Sequence, residues 1–174
     1  FGSAELTGSI GVVTLNMARL GYLYKGDEEG LVARMDELID LASQSLEIKR
    51  ETIQYHMDHG LFPYSQRYLG TLDNHFSTIG INGMNECCLN FLGVGIATEE
   101  GAAFAQKTMR FMRDVLAVFQ EETGNIYNLE ATPAESTSYR LAKHDVEQYP
   151  DIITASQGDT PYYTNSSHLP VSYT

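Results

Sequence analysis

The chain has 174 residues, 43% of them hydrophobic, which is enough for one soluble domain with a sizeable buried core. Its 11 basic and 23 acidic side chains give a formal net charge of −12, which argues against nucleic acid or an anionic membrane surface as the main partner. No apolar run approaches the roughly 20 residues that cross a bilayer and no signal segment opens the sequence, so we expect a cytoplasmic protein.

The first predicted unit is a buried strand followed by a long helix. Residues 10–15 are rich in β-branched side chains and have Asn16 at their carboxyl end. After a polar turn, apolar residues recur at helical spacing from about Glu28, and this helix is expected to stop near Gly60 and Pro63. A helix of this length would cross the domain and pack outside the sheet.

Two further units repeat this order. Residues 77–81 are strand-like and lead through Asn82 and Gly83 into a short helix, MNECCLNFL. Thr98 is a predicted N-cap of the next helix, whose apolar stripe ends before Gly124.

The third predicted strand covers residues 126–129 and is followed by a turn, TPAEST, and a helix through about His144. The remaining segment, which begins DIITAS, contains a strand candidate and a polar loop. Three or four alternating strands and helices predict an α/β fold with a parallel sheet, in a single domain over residues 1–174.

Histidine and cysteine patterns indicate no metal site in this chain. The five histidines include no H-E-x-x-H motif. Cys87 and Cys88 are adjacent, which suits neither a disulfide nor a metal-ligand spacing. Ordinary packing of reduced thiols on a helix is the favoured interpretation.

Polar residues follow each predicted strand. Asn16, the NGMNE turn of Asn82 to Glu86 and Thr132 are expected at the carboxyl ends of parallel strands, where ligands collect in α/β sheets. A strand-end cap explains Asn16 without a ligand, and a tight turn explains Asn82 and Gly83. If the three stretches do converge, they form a shared site.

The TPAEST turn has two interpretations. Thr132 as N-cap, Pro133 at the first helical position and Glu135 at the third make a capping box that needs no ligand. Alternatively, the helix N-terminus, with Ser136 and Thr137 beside it, binds a phosphate or presents Glu135 to a substrate.

Five stretches carry a family resemblance: GSIGVVTLNMARLGYL, SLEIKR, FSTIGINGMNE, NLEATPAESTSYRLAK and PYYTNSSHLPV. Together, and in this order, they resemble the anaerobic, class III ribonucleoside-triphosphate reductases, which are glycyl radical enzymes. The resemblance implies that the chain is an internal fragment of a ten-stranded α/β barrel. The N-terminal regulatory region, the finger-loop cysteine and the C-terminal glycyl radical and zinc region would lie outside it.

The family's reaction assigns roles to residues of this chain. A glycyl radical generates a cysteine thiyl radical, which abstracts the ribose 3′-hydrogen, and loss of the 2′-hydroxyl as water and reduction complete the deoxyribonucleotide. The resemblance implies that Asn16 and Glu135 are catalytic. The implied substrate-binding residues are Asn82, Gly83, Thr132, Ser136, Thr137, Asn165 and Ser166.

The implied partners are a ribonucleoside triphosphate substrate, nucleotide effectors, a radical SAM activating enzyme and a second copy of the full-length protein. The glycyl radical and a structural zinc are expected outside this chain, which alone should bind no cofactor and be catalytically silent. One of the paired cysteines could assist reduction in a thiol-dependent subgroup.

Two other classes remain open. A formate-lyase relative would need a cysteine pair on its finger loop, whereas Cys87 and Cys88 lie on a predicted helix. A non-catalytic nucleotide-binding α/β module would bind nucleotide without chemistry.

Overall fold

The computed structural model describes residues 6–133, 135–157 and 159–167, with the backbone alone at residues 135 and 157. In chain order, the elements are β1 (Gly8–Asn16), α1 (Met17–Leu23), α2 (Glu28–Asp58), α3 (Pro63–Leu69), β2 (His75–Asn82), α4 (Met84–Leu92), α5 (Glu99–Thr123), β3 (Tyr127–Ala131), α6 (Glu135–Gln148), β4 (Ala155–Gln157) and β5 (Thr160–Tyr162). No helix in these ranges is both long enough and apolar enough to span a membrane.

The main sheet is parallel and has the order β1-β2-β3. Asn16 pairs with Asn82 across β1 and β2, and Ile81 pairs with Ala131 across β2 and β3. The three predicted strands and their parallel arrangement are therefore confirmed, and their carboxyl ends meet at one edge of the sheet.

The helix ends follow the polar residues and glycines of the sequence. The Asp27 side chain accepts from the backbone N–H of Gly30 at 2.9 Å and starts α2, and Thr98 Oγ1 accepts from Gly101 N at 3.0 Å and starts α5, as predicted. Gly83 has a φ of 78°, a left-handed conformation that lets the chain turn directly from β2 into α4.

One face of the sheet is apolar and forms the core. Leu15, Ile79 and Ile81 pack with the inward stripes of α2 and α5, which lie on this face. The predicted packing of α2 outside the sheet is therefore confirmed. Its physical reason is that apolar residues at helical spacing give the helix one buried stripe.

The opposite face of the sheet carries polar side chains, because alternate residues of a strand point to opposite sides. This polar face is formed by Thr14, Asn16, Thr78, Gly80, Asn82, Asn128 and Thr132. A Cβ at Gly80 would stand 2.8 Å from Thr14 Oγ1 and 2.7 Å from Thr132 Cγ2. Glycine at this position therefore lets the two threonines approach each other over the central strand.

The fourth strand candidate does not join the parallel sheet. β4 pairs antiparallel with β5 in a separate two-stranded sheet. The connection between them is far too short for the crossover that a parallel pair requires, so the segment forms a hairpin.

The predicted stop of the long helix near Gly60 and Pro63 is confirmed, because α2 ends at Asp58. Pro63 then occupies the first turn of a short helix that was not predicted, α3, where its missing N–H has no cost. One helix boundary differs from expectation. Helix α6 continues past His144 to Gln148.

Candidate functional site

Polar groups from all three parallel strands converge at one end of the sheet. Asn16 and Asn82 are register partners at the ends of β1 and β2, and Thr132 follows β3 directly. Thr132 Oγ1 lies 3.3 Å from Thr14 Oγ1 and 3.4 Å from the carbonyl oxygen of Ile81. The shared edge inferred from the sequence is therefore present in the fold.

Asn82 lies at the centre of this edge and is unusual in its hydrogen bonding. Its side chain is 1% exposed, and neither Nδ2 nor Oδ1 has a hydrogen-bond partner in the described part of the protein. Leaving a buried polar group unsatisfied costs about 1–3 kcal/mol. On the same face, Asn128 Oδ1 is also buried without a partner among the residues the structure describes. Such groups are suited to a ligand that brings its own donors and acceptors.

Asn16 is held by a buried network. Its Oδ1 accepts from Arg19 N at 3.1 Å, which caps α1, and its Nδ2 donates to Asp145 Oδ2 at 2.7 Å. Asp145 is fully buried on α6 and also accepts from Arg19 Nε at 2.7 Å and from Tyr163 Oη at 2.7 Å. The ligand-free interpretation of Asn16 as a cap is thus correct for its Oδ1, while its Nδ2 serves a second partner.

Tyr163 joins this network from the segment after β5. Burial raises the pKa of its phenol far above the ordinary value, and the hydrogen bond to Asp145 acts in the same direction. Ser138 Oγ accepts from Tyr163 N at 3.0 Å and donates to Tyr163 O. The phenol therefore keeps its proton and donates it to Asp145 in a hydrogen bond, and this contact fixes the segment against α6.

Glu86 fixes the next residues of the same segment. Its fully buried carboxylate accepts from Thr164 N and Thr164 Oγ1, each at 2.9 Å, and from Asn85 Nδ2 at 3.0 Å. Gly83 N donates to Thr164 O at 2.8 Å. These contacts bring the TNSS segment to the ends of the strands, with Asn165 buried and Ser166 exposed.

The TPAEST turn differs from a simple capping box. Helix α6 begins at Glu135, later than that interpretation requires, and the hydroxyl of Thr132 faces Thr14 and Ile81. Ser136 is exposed and Thr137 is half-buried at the start of the helix. The side chain of Glu135 lies outside the described residues, so its predicted role stays a prediction.

The paired cysteines belong to the core. Cys87 and Cys88 are fully buried on α4, and Gly21 of α1 approaches Cys87 so closely that a Cβ would stand 2.6 Å from its carbonyl oxygen. Burial raises the pKa of both thiols, that of Cys88 to about 11. These observations favour packing over a reductant role. Within the described ranges, no three His, Cys, Asp or Glu side chains are placed to hold a metal ion.

Sequence reasoning missed Asp145 and Tyr163 as parts of this site, and it included Glu86 only as a member of the NGMNE turn, without its role of holding Thr164. A signal for Asp145 existed, because Ser138, Ala142 and Asp145 share one helical stripe and all are buried. A carboxylate on the buried stripe of a helix requires donors from another element. Those donors come from Asn16, Arg19 and Tyr163, which are too distant in sequence for any local pattern to pair with Asp145.

Comparison with known proteins shows which family this chain is similar to. The sequence matches the family model of anaerobic ribonucleoside-triphosphate reductase over residues 2–174. The enzyme of that name from Enterobacteria phage T4 is 27% identical over 173 residues, which cover 94% of this chain and 28% of the phage protein. The one from Escherichia coli is 26% identical in an alignment 180 residues long, which covers 94% of this chain and 25% of the bacterial protein.

Solved structures agree. The anaerobic ribonucleotide reductase from Thermotoga maritima in complex with dATP and CTP matches with a TM-score of 0.85 at 26% identity, over 99% of this chain and 29% of that protein. The same reductase with citrate in the active site matches with a TM-score of 0.84 at 25% identity, over 98% of this chain and 32% of that protein. The chain spans about a quarter of the length of the curated relatives it matches.

Proposed function

Because the chain belongs to the anaerobic ribonucleoside-triphosphate reductase family, we propose that the full-length protein reduces ribonucleoside triphosphates to 2′-deoxyribonucleoside triphosphates. The predicted fold class is confirmed, since the parallel βα units match the reductase structures and form a portion of the glycyl radical enzyme barrel. The related Thermotoga maritima reductase bound to dATP and CTP supports nucleotides as substrate and effector.

The structural observation that carries this proposal is the buried amide of Asn82, which has no hydrogen-bond partner among the residues the structure describes. An amide offers two donors and an acceptor, and a ribose ring presents hydroxyls that can both donate and accept. A nucleotide placed with its ribose at the ends of β1 and β2 would satisfy the amide once the groups that cover Asn82 move aside. The buried polar atoms then contribute to substrate binding instead of only lowering stability.

The other site residues have complementary roles in this proposal. Asn16 and Glu135 act on the reacting ribose, Asn16 as a hydrogen-bond donor and Glu135 as the group that moves a proton. Phosphate oxygens lie at the start of α6, where free backbone N–H groups and the helix dipole favour an anion. The remaining substrate contacts come from Gly83, Thr132, Ser136, Thr137, Asn165 and Ser166.

The radical chemistry itself is supplied from outside this chain. In the full-length enzyme, a glycyl radical and a cysteine thiyl radical provide abstraction of the ribose hydrogen. The described residues fit a supporting role, because their two thiols are buried in the core and their polar groups gather on the substrate face. This chain therefore orients the nucleotide and is catalytically silent by itself.

The partners proposed for the full-length protein follow the family. They are a radical SAM activating enzyme that installs the glycyl radical, nucleotide effectors and a second copy of the protein. A structural zinc is proposed outside this chain, and the cytoplasm is the proposed location.

The test is anaerobic turnover by the full-length protein after treatment with its activating enzyme. Ribonucleoside triphosphates are supplied with either formate or a thiol reductant, and deoxyribonucleotides are quantified by liquid chromatography. Electron paramagnetic resonance checks that the glycyl radical has formed. Deoxyribonucleotide formation supports the proposal. Radical-containing protein that binds nucleotide without converting it would instead be a binding module, and one that cleaves pyruvate would be a formate-lyase relative.

A further inference from the structure

The buried carboxylate of Asp145 on α6 accepts four hydrogen bonds, all from residues outside that helix. Its Oδ2 accepts from Asn16 Nδ2 and from Tyr163 Oη, both at 2.7 Å, and its Oδ1 accepts from Arg19 Nε at 2.7 Å and from Arg19 Nη2. The carboxylate is fully buried, whereas the Arg19 side chain is partly exposed. Each carboxylate oxygen thus has two donors, and one of the four comes from a proposed catalytic side chain.

The two partners of the Asn16 amide select one orientation of it. Oδ1 accepts from Arg19 N at 3.1 Å and Nδ2 donates to Asp145. A rotated amide would place its NH₂ group against the Arg19 N–H and its oxygen against the Asp145 carboxylate, and both contacts would be repulsive. In the observed orientation one Nδ2–H donates to Asp145, and the second has no acceptor within the described part of the chain and can donate to a ligand.

We propose that Asp145 is a positioning residue, which holds the amide of Asn16 so that its second Nδ2–H donates to a ribose hydroxyl of the substrate. This inference rests on the proposed function, because it requires that Asn16 contacts a ribonucleotide. Only a carboxylate accepts hydrogen bonds at both of its oxygens, whereas an amide at position 145 must present a donor at one of them. Arg19 Nε donates to Oδ1, which leaves Oδ2 to accept from Asn16 and Tyr163.

A purely structural role would make a different prediction. Asp145 also connects β1, α1 and the segment that contains Tyr163, so its loss would loosen the fold whatever Asn16 does. A double-mutant cycle separates these roles, because two residues that act through one contact have non-additive effects. The required proteins are the full-length enzyme, Asp145→Asn, Asn16→Ala and the double variant, all activated and matched for radical content.

Positioning predicts that Asp145→Asn lowers kcat by about 10- to 100-fold while KM changes by less than about threefold, since a misplaced reacting group costs turnover more than binding. In the Asn16→Ala background, Asp145→Asn should cause no further loss of kcat. Asp151→Asn is the matched control, because Asp151 accepts from Tyr22 Oη at 2.6 Å on the exposed surface. That variant should keep kcat within about twofold of the unsubstituted enzyme.

Two results would overturn the inference in different ways. Multiplicative losses of kcat in an enzyme that does form deoxyribonucleotides would reject positioning and leave the proposed function standing. Absence of any turnover by the radical-containing unsubstituted enzyme would reject both. Should Asp145→Asn fail to fold, Asp145→Glu keeps the charge and displaces the acceptor from Asn16, and the same non-additivity is expected.

Discussion

Removing the side-chain amide of Asn82 should weaken substrate binding without destabilising the protein. Asn82→Ala removes two buried polar atoms that lack hydrogen-bond partners in the described structure. The cost of burying them unsatisfied, about 1–3 kcal/mol, is removed with them. Loss of packing around the deleted atoms offsets roughly 1–2 kcal/mol of this gain. The free energy of unfolding without nucleotide should therefore change by less than about 1 kcal/mol.

Asn90 is the matched control, since it is also a buried asparagine, 3% exposed, but is fully hydrogen-bonded. Its Nδ2 donates to Glu86 O at 2.8 Å and to Ile153 O at 2.9 Å, and its Oδ1 accepts from Ile153 N at 2.9 Å. Asn90→Ala removes all three hydrogen bonds, leaves the N–H and C=O of Ile153 without these partners and should cost about 2–4 kcal/mol. That loss lowers the unfolding midpoint by an amount that becomes smaller as the cooperative unit becomes longer.

The assay is thermal unfolding of the full-length protein with and without a ribonucleoside triphosphate, together with direct measurement of Kd. Asn82→Ala should keep the nucleotide-free midpoint and raise Kd by about 10- to 100-fold, the equivalent of one or two lost hydrogen bonds. Two results would rule out this role of Asn82: a nucleotide-free midpoint lowered by Asn82→Ala as much as by Asn90→Ala, or nucleotide binding by Asn82→Ala as tight as that of the unsubstituted protein.

Four further outcomes are expected. Glu135→Gln should reduce turnover by about 10²-fold or more if the carboxylate moves a proton, whereas near-normal turnover with intact radical content would leave it a helix cap. Ser136→Ala and Thr137→Ala should raise KM more than they lower kcat, because phosphate contacts act equally in the ground and transition states; a selective loss of kcat would contradict this. Burial raises the pKa of the Cys88 thiol from 9.0 to about 11 and stabilises its neutral form, so the contribution of this group to stability should be complete below pH 9 and decline as the pH rises toward 11. Titration of unfolding against pH with Cys88→Ala as control measures this, and an identical pH dependence in that variant would exclude it. Finally, the 174-residue chain alone should form no deoxyribonucleotide in the turnover assay, and any product would contradict the division of roles proposed above.

The strands and long helices were predictable because their signals are local. β-branched residues before Asn16 and the helical spacing of apolar residues after Glu28 determine β1 and α2 without reference to the rest of the chain. The meeting of Asn16 with Asn82 was also predictable, since parallel strands joined by helices bring their carboxyl ends to one edge.

What the sequence did not reveal depends on contacts between distant residues. The pairing of Asp145 with Asn16 spans 129 positions, and that of Glu86 with Thr164 spans 78. Only one strand candidate was predicted in the segment that forms the β4-β5 hairpin, because a short strand has the same local pattern in a parallel and in an antiparallel pair. In Thr132 a good N-cap residue is instead directed into the polar face, where the bare backbone of Gly80 makes room for it.

A structure of the full-length protein with a ribonucleoside triphosphate bound would show where the substrate lies on this sheet. We expect the ribose at the carboxyl ends of β1, β2 and β3, with hydroxyl oxygens within hydrogen-bonding distance of Asn82 and Asn16 and the phosphates at the start of α6. A ribose bound away from this edge, with the Asn82 amide still unpartnered, would contradict this expectation.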